Sequence, residues 1–218
     1  MKKSVYSIVL ADDVVEAVDE MAYSLGTSRS NLINQILAER VSLMTPEMRM
    51  KDIFAQIEKL LSPRPHTVAQ SSGAAIMIKS PLKYKYRPTV NYSVELSRTF
   101  SGEVGRLKIS LRTQSVALIE MVARFFGLWT RLESKYLDSL FTNGVPWSGS
   151  GASYVRTFFS PNNAALSDND IAQAIGGYIN LLDECIRLCF DNAAEPERTE
   201  KEIEKRYKDY LKKGVIIL

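Results

Sequence analysis

The sequence predicts an α+β protein: a short β-α-α stretch at the N-terminus, followed by a larger domain in which an antiparallel sheet is covered by long helices. Three observations carry this. Residues 4–44 begin with strict alternation and then change to helical spacing. Residues 75–112 fall into short β-branched or aromatic runs separated by Pro81, Pro88 and Ser101-Gly102. Residues 113–141 and 167–192 carry two long helical patterns. With 218 residues, 45% apolar and 24% charged, the chain is long enough for two domains and does not have a disordered composition.

In the first stretch Ser4-Val5-Tyr6-Ser7-Ile8-Val9-Leu10 alternates as a strand, with Tyr6, Ile8 and Leu10 on the core face and Val5, Ser7 and Val9 facing outward. Val14, Val18, Met21, Ala22 and Leu25 then recur at helical spacing, with Asp12, Asp13 and Glu16 at the positive end of the macrodipole and Gly26 as the stop. Thr27 or Ser28 caps a second helix, whose apolar stripe is Leu32, Ile33, Ile36, Leu37 and Val41. One strand and two short helices in about 40 residues cannot bury three apolar faces alone, because so small a core seldom outweighs chain entropy. A dimer is therefore expected.

Strand, two helices and the Gly-Thr-Ser-Arg-Ser turn between them resemble the ribbon-helix-helix family of Arc- and MetJ-like repressors, CopG-like regulators among them. The resemblance implies two copies whose strands pair across a two-fold axis and enter the major groove of double-stranded DNA. It places Val5, Ser7 and Val9 where family members read base edges. This chain departs from the pattern there, since valine offers only a methyl contact to thymine. Contacts to phosphate fall to Lys2 and Lys3 before the ribbon and to Thr27, Ser28, Arg29 and Ser30 at the start of the second helix. The competing reading is an interaction protein, antitoxin-like or structural, that uses the module for dimerisation only.

The net charge of +3 is unevenly placed: residues 1–45 carry −2, residues 46–112 carry +7 and residues 113–218 carry −2. Attraction to DNA thus draws on the middle of the chain. Thr45 and Pro46 start a third helix with apolar Met50, Ile53, Phe54, Ile57, Leu60 and Leu61. Residues 62–73, rich in breakers and small polar residues, read as a linker, so that 46–74 is helix and linker and 75–218 a second domain.

In that domain the expected strands are 75–79, 82–87, 89–96 and 104–112. Leu107, Ile109 and Leu111 alternate with Lys108, Ser110 and Arg112, which indicates one buried and one wet face. Alternation in 82–87 sets Lys83, Lys85 and Arg87 on one side, an anion or DNA patch by charge and an ordinary solvated or edge-protecting strand by the plainer reading. A long helix follows to about Phe141, then an irregular stretch with room for one strand, then a helix opened by the capping box of Ser167 and Asp170. A charged helix over 197–213 leads to Val215-Ile216-Ile217-Leu218, an apolar tail expected to add a strand.

No local motif for a nucleophile, phosphate loop or paired carboxylates is present, so no enzyme and no cofactor are expected. Asp183 and Glu184 are adjacent on a helix and diverge. Cys185 and Cys189 lie on one helical face with Tyr178, Leu181 and Leu182 and read as buried thiols, since a pair inside one helix makes a poor disulfide. The single histidine, His66, in the expected linker, leaves no histidine set for zinc or for nickel sensing. With no bilayer-length apolar run and no signal-peptide core, a cytoplasmic protein is expected. An effector or protein partner at the second domain, and an oligomer beyond the dimer, stay open.

Overall fold

Carboxylates at the head and a glycine at the tail delimit the first helix, α1 (Asp12–Ser24), as the sequence predicts. Gly26 takes φ +61°, a conformation costly for other residues, and this lets the Thr27 amide donate to the Ala22 carbonyl at 2.9 Å and close the turn. Ser28 caps α2 (Arg29–Arg40), its Oγ accepting from the Asn31 amide at 3.3 Å. Residues 4–10 precede α1 without forming a strand. A strand is defined by its ladder to a second strand about 4.8 Å away, and within one chain no described segment pairs with this one.

The computed structural model describes residues 4–61, 66–85, 87–98, 102–161 and 166–214, and the chain divides into two units, Met1–Met48 and Arg49–Leu218. Lys2, Lys3, residues 62–65, Tyr86 and the tail 215–218 lie outside the described residues, and so does the strand expected of that tail.

The third helix, α3 (Pro46–Leu61), starts with Pro46 at its first position and the Thr45 hydroxyl accepting from the Met48 amide at 3.1 Å. It is not a separate connector. Met50, Ile53, Phe54, Ile57 and Leu61 are buried in the same core as the sheet. The expected linker is corrected as well, because 67–72 is strand β1 (Thr67–Ser72), paired antiparallel to β2 (Ala75–Pro81). Ala69, Gln70, Ser71 and Ser72 have little strand propensity of their own. The ladder to β2 supplies what propensity lacks.

β3 (Thr89–Leu96) and β4 (Glu103–Leu111) continue the meander, and a hairpin of β5 (Trp147–Ser150) and β6 (Ser153–Phe159) adds two strands where one was expected. The order is β1-β2-β3-β4-β6-β5, antiparallel throughout. Ile76, Ile78, Tyr92, Val94, Leu107, Ile109, Tyr154 and Phe158 point to the buried side. On that side lie α4 (Val116–Leu137), whose Phe126 stacks on Tyr154 at 5.4 Å, and α5 (Asp168–Asp191), whose Asp183 bonds Ser80 and Tyr92. α6 (Pro196–Lys212) packs on both, with Tyr207 edge-on to Trp129 at 5.3 Å. α3 reaches α5 through Leu60: a Cβ at Gly176 would stand 2.9 Å from the end of the Leu60 side chain, which would have to shift to make room for it.

The capping box is present, with Ser167 Oγ accepting from the Asp170 amide at 3.1 Å and the Asp170 carboxylate accepting from the Ser167 amide at 3.2 Å. Ser167→Ala is expected to cost about 1 kcal/mol and lower the melting temperature by roughly 2–4 °C. An unchanged thermal melt would show that the box adds nothing to the long helix.

Candidate nucleic-acid interface

The N-terminal unit buries little of its own apolar surface. Ala22, Leu32 and Ala38 are its buried apolar residues, while Leu25, Ile36, Leu37, Val41, Leu43 and Met44 are exposed. Residues 4–10 are exposed throughout, Val5 and Val9 at 99% and 100% and Tyr6, Ile8 and Leu10 at 83%, 58% and 38%. Ser7 is exposed as well.

At the start of α2, Ser28, Arg29 and Ser30 are exposed and Thr27 is half-buried. Arg29 is engaged within the unit: its Nε and a terminal nitrogen both donate to the Asp19 carboxylate on α1. These hydrogen bonds hold the Asp19 carboxyl below its ordinary value and raise the Arg29 guanidinium. Since both groups face water, the pair is one that salt and competing anions weaken.

Of the basic strand expected over 82–87, the described residues 82–85 and 87 lie in no strand and fall between β2 and β3. Leu82 is buried, Tyr84 packs edge-on against Phe190 at 5.3 Å, and Arg87 turns the chain back at φ 44°. Two inward anchors pull this segment out of the sheet, and the Leu82 amide closes the loop onto the Pro88 carbonyl at 2.9 Å. Lys83, Lys85 and Arg87 are all exposed, but as loop residues and not as an alternating row.

Two buried polar clusters in the second unit escaped the sequence reading. Asp183, fully buried, accepts from Ser80 Oγ at 2.6 Å and Tyr92 OH at 2.9 Å on Oδ1, and from Arg187 Nε at 2.8 Å on Oδ2. His66 is no linker residue: its side chain is 1% exposed, with Nδ1 3.1 Å from the Leu61 carbonyl and Nε2 3.5 Å from Asp183 Oδ2. Burial alone would raise the Asp183 carboxyl, but His66, Arg187 and Ser80 together hold it well below the usual carboxylate range. Ser80 and His66 both address the carboxylate, which thus lies between them. A hydrolytic relay needs the histidine between serine and acid, so the cluster ties β2, β3 and the chain after α3 to α5.

The second cluster centres on Glu133 of α4, which accepts from Tyr154 OH, from Tyr178 OH at 3.0 Å and from Arg156 Nε at 3.4 Å, while Trp129 Nε1 donates to Tyr178 OH at 2.8 Å. Burial pushes the Glu133 carboxyl up, opposed by Arg156 and the two hydroxyls. Asp183 and Glu133 each face a sheet whose partners come from distant sequence positions, so no local spacing announces them.

Cys185 is buried and Cys189 half-buried, both as free thiols pushed up to about 12 by burial. Glu184 diverges from Asp183 and lies 3.7 Å from Arg206 in a groove of about 600 Å³ between α5 and α6, lined also by Asp170, Gln173 and Tyr210. Among the described residues no group of three or more His, Cys, Asp or Glu is arranged to hold a metal ion, and no helix is long and apolar enough to cross a membrane. Comparison with protein-family models, curated proteins and solved structures returned no match.

Proposed function

We propose that this protein is a DNA-binding transcriptional regulator, a dimer formed through residues 4–44, whose paired strands enter the major groove of duplex DNA. The observation that carries the reading is the uncovered apolar side of the N-terminal unit. Tyr6, Ile8, Leu10, Ile36 and Leu37 stay exposed in the single chain, and a second copy of the same unit is the partner that supplies both a strand for 4–10 and cover for these side chains. The capped α2 with Ser28, Arg29 and Ser30 at its head offers amides and a cation to phosphate.

The Arg29 to Asp19 pair favours the second reading, an interaction protein in which the unit only pairs, because that cation is already occupied. Binding of the full chain to genomic duplex fragments decides between them. Arg29→Ala is expected to weaken binding to all sequences alike and flatten the slope of log K against log salt by about one. Absence of any duplex shift at low salt leaves the pairing reading.

A further inference from the structure

Helices cover one side of the six-stranded sheet, and the register fixes what stands on the other. Residues directly opposite in a ladder share a face. Lys79, Asn91, Ser110 and Ser153 therefore form one row across β2, β3, β4 and β6, with Met77, Ser93, Lys108 and Val155 in the next. Arg112 follows the last residue of β4, and Lys79, Lys108 and Arg112 are all exposed. The acids of this face stand at the far end, where Glu95 is paired in register with Arg106, and Glu103 bonds Arg106 at 3.0 Å. The β2–β3 loop adds Lys83, Lys85 and Arg87 to the cationic end.

We propose that this solvent-facing side of the sheet, at its β2–β3 end, docks on the sugar-phosphate backbone of duplex DNA through Lys79, Lys108 and Arg112. The proposal rests on the DNA-binding reading above and adds a second, sequence-independent contact to it. Neighbouring strands lie about 4.8 Å apart, so Lys79 and Lys108, two strands and one row from each other, are separated by roughly 12 Å, on the scale of the DNA grooves. Between them stand Asn91, Ser93 and Ser110, side chains of the kind that bond phosphate and sugar. Cations spaced on the scale of a groove, with side chains between them that suit the phosphates and sugars along it, favour a duplex as the occupant.

The test measures duplex affinity against salt for the full chain, for Lys79→Gln/Lys108→Gln/Arg112→Gln, and for Ile8→Asp. The triple variant is expected to bind every sequence more weakly, with a slope shallower by about two to three, and to keep the parent's melting temperature. Glu95→Lys, adding a cation to the same face, is expected to tighten binding. If the parent binds and the triple variant matches it in affinity and slope, the sheet proposal falls and the ribbon reading stands. If Ile8→Asp binds as the parent does while the triple variant weakens, the sheet proposal stands and the ribbon reading falls. If the parent binds no duplex, both fall.

Discussion

Asp183→Ala is expected to lower the stability of the second unit by about 3–5 kcal/mol, and its melting temperature by roughly 10 °C or more. The carboxylate takes donors from Ser80, Tyr92 and Arg187 and faces His66, all in a fully buried place. Truncation leaves these groups desolvated without their acceptor, and that penalty exceeds the worth of any single bond. The effect depends on pH in a fixed direction. The Asp183 carboxyl lies well below its ordinary value in the folded state. Its contribution is therefore complete above the unfolded value of about 3.9 and is lost as pH falls below that toward the folded one. Denaturant melts of parent and variant should differ by a constant amount at neutral pH and converge below about pH 4. A gap under 1 kcal/mol at pH 7, or one that widens with acid, would refute the assignment of this cluster as a stabilising tie.

The same cluster shows where sequence reading stops. Periodicity locates α4, α5 and α6 because their apolar stripes are local, and it separates the wet and buried faces of β4 because alternation is local too. Ser167 and Gly26 announce helix ends by side-chain chemistry within four residues. β1 does not announce itself, because Ala69-Gln70-Ser71-Ser72 becomes a strand only when β2 lies beside it. The loop at 82–87 mimics a strand in sequence because Leu82, Tyr84 and Tyr86 alternate with cations. The inward pull of Leu82 and of Tyr84 against Phe190, a residue about a hundred positions away, decides otherwise. His66, between Pro65 and Thr67, likewise reads as loop chemistry until Asp183 is placed against it. For the N-terminal unit, alternation and helical spacing are legible. The strand that alternation predicts over 4–10 does not form, because among the described residues no second strand lies beside it.

Ile8→Asp is expected to reduce the sedimenting mass from twice 24.5 kDa to 24.5 kDa. In an antiparallel pair across a two-fold axis the residues near the middle of the strand meet their symmetry mates, so one substitution would bury two like charges against each other. An unpaired buried carboxylate costs several kcal/mol even after relaxation, more than a short ribbon recovers elsewhere. Val9→Asp supplies the contrast. In the proposed ribbon it faces outward; it is fully exposed in the single chain, and its replacement should leave the mass at two chains while weakening duplex binding by repulsion from phosphate. The pair of variants also fixes register, because a slip of one residue exchanges the faces: dissociation by Val9→Asp with Ile8→Asp intact would place Val5, Ser7 and Val9 in the core. A parent that sediments as one chain at micromolar concentration would remove the ribbon altogether, and with it the major-groove contact that residues 4–10 are proposed to make.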